Sequence, residues 1–169
     1  MADPLSIIGG FAAVIQISQV VVSYIKAATG AAGERQRLLV GIHATTALCQ
    51  TLLDTAEIDA DQWMHTLQSL SQSESGPLDQ FKRNLEYLQK KPAPRKKPKS
   101  HLGALTSSLK WPFDQNEIRE VVADIERQKS LFHIALTNDN LKLSMAILQT
   151  TRDMAETLIH GSDPENARN

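Results

Sequence analysis

PLSIIGGFAAVIQISQVVVSYI, residues Pro4–Ile25, runs for 22 positions without a charged side chain. Asp3 stands before it as an N-cap, and Pro4 takes the first helical position, where a missing N–H costs nothing. As a helix the stretch is about 33 Å long, close to the ~30 Å hydrocarbon thickness of a bilayer. At helical spacing Ile7, Ile8, Phe11, Val14, Ile15, Val21, Val22 and Ile25 form a wide apolar arc. Gly9, Ala13, Gln16, Ser23 and Ala27 form a narrower stripe of small or polar residues opposite it. Small residues also recur at four-residue spacing, at Ala2, Ser6 and Gly10 and again at Gly9 and Ala13, which lets two helix backbones approach closely.

Three readings of this helix stand at this point. It is the core helix of a bundle, apolar because neighbours surround it. It is a permanent membrane span, against which Ser6, Gln16, Ser18, Gln19, Ser23 and both glycines argue. Or it is docked in a soluble form and released to enter a bilayer, its polar stripe then meeting copies of itself or water.

The rest of the chain reads as helices. An apolar fraction of 41% with only 5% aromatics in 169 residues makes a core of Leu, Ile, Val and Ala, which favours helix on helix. After a break at Thr29–Gly33, a helix is expected over about Glu34–Thr55. A shorter one, with Asp59 and Asp61 as its expected caps, reaches Leu70. Ser71–Gly76 is a loop, and Pro77 starts a helix with Leu78, Phe81, Leu85 and Leu88 on one face. Leu102–Leu109 is expected as a short helix that the Trp111-Pro112 pair terminates. Asp114 and Glu117 have capping-box spacing, and a long helix follows, either interrupted at Thr137–Asn140 or, the favoured reading, continuous to about Ile159. The expected fold is therefore all-α, a helical bundle of four to six helices with a long C-terminal helix, filling residues 1–160. Within it residues 1–26 are the apolar N-terminal helix and 90–100 a basic, proline-rich loop; 161–169 is linker or tail.

Net charge is −1, but it is unevenly placed. Lys90, Lys91, Arg95, Lys96, Lys97 and Lys99 stand together with no acid among them, and the remainder carries −7. Three prolines in this stretch exclude regular helix. Such a run is a solvated loop, a nuclear localisation signal or a cradle for anionic lipid headgroups, the last worth about 1 kcal/mol per cation near the surface. No aromatic residue interleaves the cations to stack on bases, so nucleic acid is not an expected partner.

Chemistry is not signalled. No phosphate-binding glycine loop and no nucleophile elbow occurs, and the five histidines are scattered without metal-ligand spacing. Cys49, the single cysteine, sits among Ala47, Leu48 and Leu52 as a buried structural thiol. Neither an enzyme nor a cofactor is expected. A lone cysteine and an apolar N-terminus without preceding cations favour a cytoplasmic protein over a secreted one.

Two segments carry a resemblance. Met-Ala-Asp-Pro-Leu-Ser-Ile-Ile-Gly-Gly at 1–10, leading uncharged into Gly30 and Gly33, resembles the start of the fungal HeLo-like domains found at the N-termini of NOD-like receptors. Leu109-Lys-Trp-Pro-Phe113, followed by Ile125–Phe132 and Ala135–Asn140, resembles the Trp-Pro turn and long last helix of the same family. The likeness implies a bundle similar in plan to the four-helix necroptosis executor, acting in programmed cell death. It implies that the N-terminal helix oligomerises with its copies and permeabilises membrane. Leu5, Ile7, Ile8, Phe11, Val14 and Ile15, with Val21 and Val22 of the same arc, are then the inserting side chains. Ser6, Gly9, Gly10 and Ala13 are the helix-association positions, and Trp111 and Pro112 are structural. The implied partners are the chain itself, anionic lipids and C-terminal receptor domains, with movement from cytoplasm to plasma membrane on activation. No amyloid-like motif follows Leu158, a departure from some relatives.

Overall fold

The computed structural model describes residues 4–58, 60–71, 76–91 and 109–160. Five helices carry the fold: α1 (Pro4–Ala27), α2 (Ala32–Ile58), α3 (Ala60–Ser71), α4 (Pro77–Lys90) and α5 (Gln115–His160). Two short strands, β1 (Ala28–Thr29) and β2 (Leu109–Lys110), form a single parallel pair. The architecture is all-α, with α5 continuous through Thr137–Asn140. Two compact units divide the chain, Met1–Ile134 and Ala135–Asn169.

The first unit is a bundle built on 3–4 periodicity. On α1 the buried set is Ile7, Phe11, Val14, Ser18, Val21 and Ile25, joined by Val22. On α2 it is Leu38, Ile42, Thr45, Cys49, Leu52 and Ala56; on α5 it is Ile118, Val121, Ile125, Gln128 and Phe132. Trp63, Leu67 and Leu70 of α3 and Leu78, Phe81, Leu85 and Leu88 of α4 complete the core. Each Val, Leu, Ile or Phe among them contributes about 1.5–3 kcal/mol by leaving water. The buried hydroxyls of Ser18 and Thr45 donate to the carbonyls of Val14 and Gly41, at 2.8 and 2.9 Å, which satisfies them inside their own helices. Buried Gln128 donates from Nε2 to Gln80 Oε1 at 2.5 Å, a polar tie between α5 and α4.

Close approach of α2 and α5 needs Gly41. A Cβ there would stand 3.3 Å from Ile125 Cγ2, tighter than ordinary contact.

Between α1 and α2 the chain turns through Gly30 (φ 93°) and Ala31 (φ 47°), the first a conformation glycine adopts freely. Arg35 fixes this turn, its Nε donating to Gly30 O at 2.7 Å and its Nη1 to Ile25 O at 3.2 Å. A cation donating to the last carbonyls of α1 complements both their free lone pairs and the helix dipole. Helix α2 therefore begins at Ala32 and reaches Ile58, longer at both ends than the sequence pattern predicts.

Leu109 departs from expectation. It pairs with Ala28 in the β-ladder instead of closing a short helix, and Trp111 N donates to Thr29 O at 3.0 Å. The cause is Pro112, which holds the residue before it extended, while buried Trp111 and Phe113 pin the segment to the bundle. The Asp114/Glu117 capping box forms as expected. Asp114 Oδ1 accepts from the N–H groups of Asn116 (2.8 Å) and Glu117 (2.9 Å), and Glu117 Oε2 accepts from Asp114 N at 2.9 Å. Helix α3 already begins at Ala60, so Asp61 lies inside its first turn and does not cap it from outside. The caps expected of Asp3 and Asp59, the remainder of the expected 102–109 helix, and the 161–169 tail lie outside the described residues.

The second unit is the distal part of α5. Leu141, Leu143, Met145, Ile147, Leu148 and Met154 are all exposed on it, on two sides of one helix.

Candidate functional site

Helix α1 shows two faces. Its buried face takes Ile7, Phe11, Val14, Val21 and Val22, five of the eight side chains expected to insert. Phe11 is fully buried and meets Phe132 edge-on, ring centroids 6.3 Å apart. Leu5 (76% exposed) and Ile8 point outward, and Ile15 is half-buried. Of the association positions, Ser6 and Gly9 are exposed and Gly10 and Ala13 half-buried.

The outward face also contains Gln16, Gln19, Ser23 and Val20, the last 51% exposed. Val20 was not singled out by the sequence, because within Val20-Val21-Val22 residue type cannot tell the outward member from the buried ones. From Pro4 to Ile25 this solvent-facing surface has no charge at all. Among the described residues α1 alone has the length and hydropathy to cross a membrane, with a mean hydropathy of 2.0 over a window that is 33% buried.

The bundle does not require glycine at 9 or 10. A Cβ on Gly9 would meet nothing within 4 Å, and one on Gly10 would make ordinary contact with Leu78 Cδ2 at 3.7 Å. Each glycine nevertheless costs the helix about 0.8–1.0 kcal/mol relative to alanine.

The expected headgroup cations divide. Arg95, Lys96, Lys97 and Lys99 lie outside the described residues. Lys90 pairs with Glu86 at 3.1 Å and remains largely exposed. Lys91 is engaged: its Nζ donates to Glu117 and lies 5.0 Å from the centre of the Phe113 ring. The Lys91 bond to Glu117 raises the amine's pKa above its ordinary value. The Glu117 carboxyl, held first by Lys91, then by the Asp114 N–H and by the Tyr87 hydroxyl at 3.0 Å, is lowered to about 2. Tyr87, Trp111 and Phe113 stack around this group, with Tyr87–Phe113 and Trp111–Phe113 centroids at 5.8 and 5.0 Å. The start of the basic segment is thus clasped to the start of α5. No sequence signal announced this clasp beyond the capping-box spacing.

Cys49 is buried, and burial pushes its thiol up to about 12, so it is protonated and inert in the folded state. Among the described residues no three His, Cys, Asp or Glu side chains group closely enough to hold a metal. Comparison of the chain with known protein families, with curated proteins and with solved structures finds no match.

Proposed function

We propose that this chain is a membrane-acting effector domain of the kind the fungal HeLo-like domains exemplify, with α1 as its working element. In the resting bundle one face of α1 is core. The other is an uncharged strip already turned outward. When copies are gathered by a receptor, the strip meets lipid, the glycine positions allow neighbouring α1 helices to pack closely, and the basic segment holds anionic headgroups. Lys90 and the cations after Pro92 serve that contact, while Lys91 stays with Glu117. The observation that carries the reading is the absence of charge among the exposed residues of α1 up to Ile25, which lie in Pro4–Gly9 and again in Gln16–Ser23, where a solvated helix ordinarily carries charged residues. The two glycines support it, since the resting bundle has no steric need of them.

The test is dye release from phosphatidylserine–phosphatidylcholine vesicles by wild type and by an Ile8→Asp, Val20→Asp double variant. Both positions are exposed, so the variant folds. Wild type is expected to release dye and the variant to fail by tenfold or more. Equal release by the two, or none by wild type clustered on the vesicles, rejects the reading.

The exposed apolar residues of distal α5 favour a second reading, a soluble docking module that binds protein through Leu141, Met145 and Leu148 without touching lipid. Leu141→Lys with Leu148→Lys then abolishes assembly, while vesicles are ignored.

A further inference from the structure

We propose that α1 opens from its N-terminal end as a separate unit, with Gly9–Gly10 as the boundary, while residues 11–27 stay fastened to the bundle. The inference does not rest on the membrane reading; it holds whether the freed turn meets lipid, protein or water.

Fastenings on α1 are graded along its length. At the C-terminal end Val21 and Ile25 are fully buried, and Ala28 beyond them is nearly so. Arg35 grips the carbonyls of Ile25 and Gly30. The Tyr24 hydroxyl donates to Lys91 O at 3.2 Å, which joins α1 to the aromatic and ionic clasp at the base of the basic segment. The β1–β2 pair and the Trp111–Thr29 hydrogen bond lock the chain directly after the helix. Lifting this end requires all of these to break together.

The N-terminal end is held by little. From Pro4 to Gly10 only Ile7 is buried; Pro4, Leu5, Ser6, Ile8 and Gly9 face outward. Beneath them lies a groove of about 200 Å³ whose walls include Ser6, Ile7, Gly10, Val14, Leu78 and Lys82. This turn is therefore incompletely packed on its inner side. At its end stand two adjacent glycines that nothing in the packing demands and that weaken helix propagation. A segment with few buried contacts, bounded by a weak helical joint, opens at far lower free energy than the whole domain. What opens is seven residues, about 10 Å of helix, presenting Leu5, Ile7 and Ile8 together as an apolar tip on an intact bundle.

Thiol labelling tests this, because the chain contains its own reference. Cys49 is fully buried and reports global unfolding. Ile7→Cys and Val21→Cys are each added to the wild-type chain. The thiol at 7 is expected to react at least about a hundredfold faster than Cys49, at a rate insensitive to low denaturant, since local opening exposes little surface. The thiol at 21 is expected to follow Cys49 in rate and in denaturant dependence. Gly9→Ala with Gly10→Ala is expected to slow labelling at 7 by about twentyfold. Labelling at 7 that tracks Cys49, or labelling at 21 as fast as at 7, overturns the proposal. Amide hydrogen exchange on the wild type gives the same answer without substitution. Amides 8–11, which close the first turns, exchange at least about a hundredfold faster than amides 22–25; equal protection overturns it.

Discussion

Phe11 stands edge-on to Phe132, ring centroids 6.3 Å apart, both fully buried. The helix proposed to act therefore also shares a core contact with α5. Phe11→Ala is expected to lower stability by about 3–5 kcal/mol, and Phe132→Ala by a similar amount. A double-mutant cycle read by urea unfolding should give a coupling of about 0.5–1.5 kcal/mol between the rings. Loss of function at Phe11 then reports an unfolded bundle, so functional tests belong on the outward residues.

Gly9→Ala and Gly10→Ala should each raise stability, together by about 1–2 kcal/mol. The added methyls meet open space at 9 and ordinary contact at 10. Dye release from vesicles should fall in the same double variant, because the added side chains hold neighbouring α1 helices apart. Gly41→Ala should show no comparable gain, since its methyl presses on Ile125 Cγ2 at 3.3 Å. Thermal melts of the variants check the two stability statements, and vesicle dye release checks the other.

Glu117 gives the domain a pH signature. Its carboxyl is lowered in the folded chain to about 2 from an ordinary value of 4.5. The folded state thus binds this proton less readily than the unfolded one. The stabilisation is present in full above the ordinary value and is lost as pH falls from 4.5 through about 2. Glu117→Gln should remove that dependence and lower stability at neutral pH, measured by denaturant midpoints across the range. Lys91→Ala should act in the same direction. Lys90→Ala, which breaks an exposed pair with Glu86, should change stability by less than about 1 kcal/mol.

Cys49 should be silent toward thiol reagents at neutral pH in the native protein, because its thiol is buried and pushed up to about 12. Reaction should appear only as denaturant unfolds the domain. Rapid native-state labelling contradicts the burial described for α2.

The bundle was legible in the sequence wherever apolar residues repeat at three and four, as they do at Leu78, Phe81, Leu85 and Leu88. The continuity of α5 was only half legible: no glycine or proline interrupts Gln115–His160, but the polar Thr137–Asn140 left one helix and two both open. What periodicity could not give was the β-ladder at Leu109, which depends on two segments 81 residues apart in the chain, nor the ties from Lys91 and Tyr87 to Glu117. Both are tertiary, and no local pattern encodes them. The arc on α1 correctly separated Gly9, Gln16 and Ser23 from Phe11 and Val14. It misplaced Ile8, which faces outward, and passed over Val20, since three consecutive valines look alike until a neighbour covers two of them.

In the proposed function the outward face of α1 enters lipid while the rest of the bundle stays in water. An environment-sensitive fluorophore on Leu5→Cys, and separately on exposed Val40→Cys of α2, measures this on phosphatidylserine-containing vesicles with brominated acyl chains. The proposed function predicts a blue shift and bromine quenching at position 5 and an unchanged aqueous spectrum at position 40. An aqueous spectrum at both positions, with the protein bound to the vesicles, contradicts it.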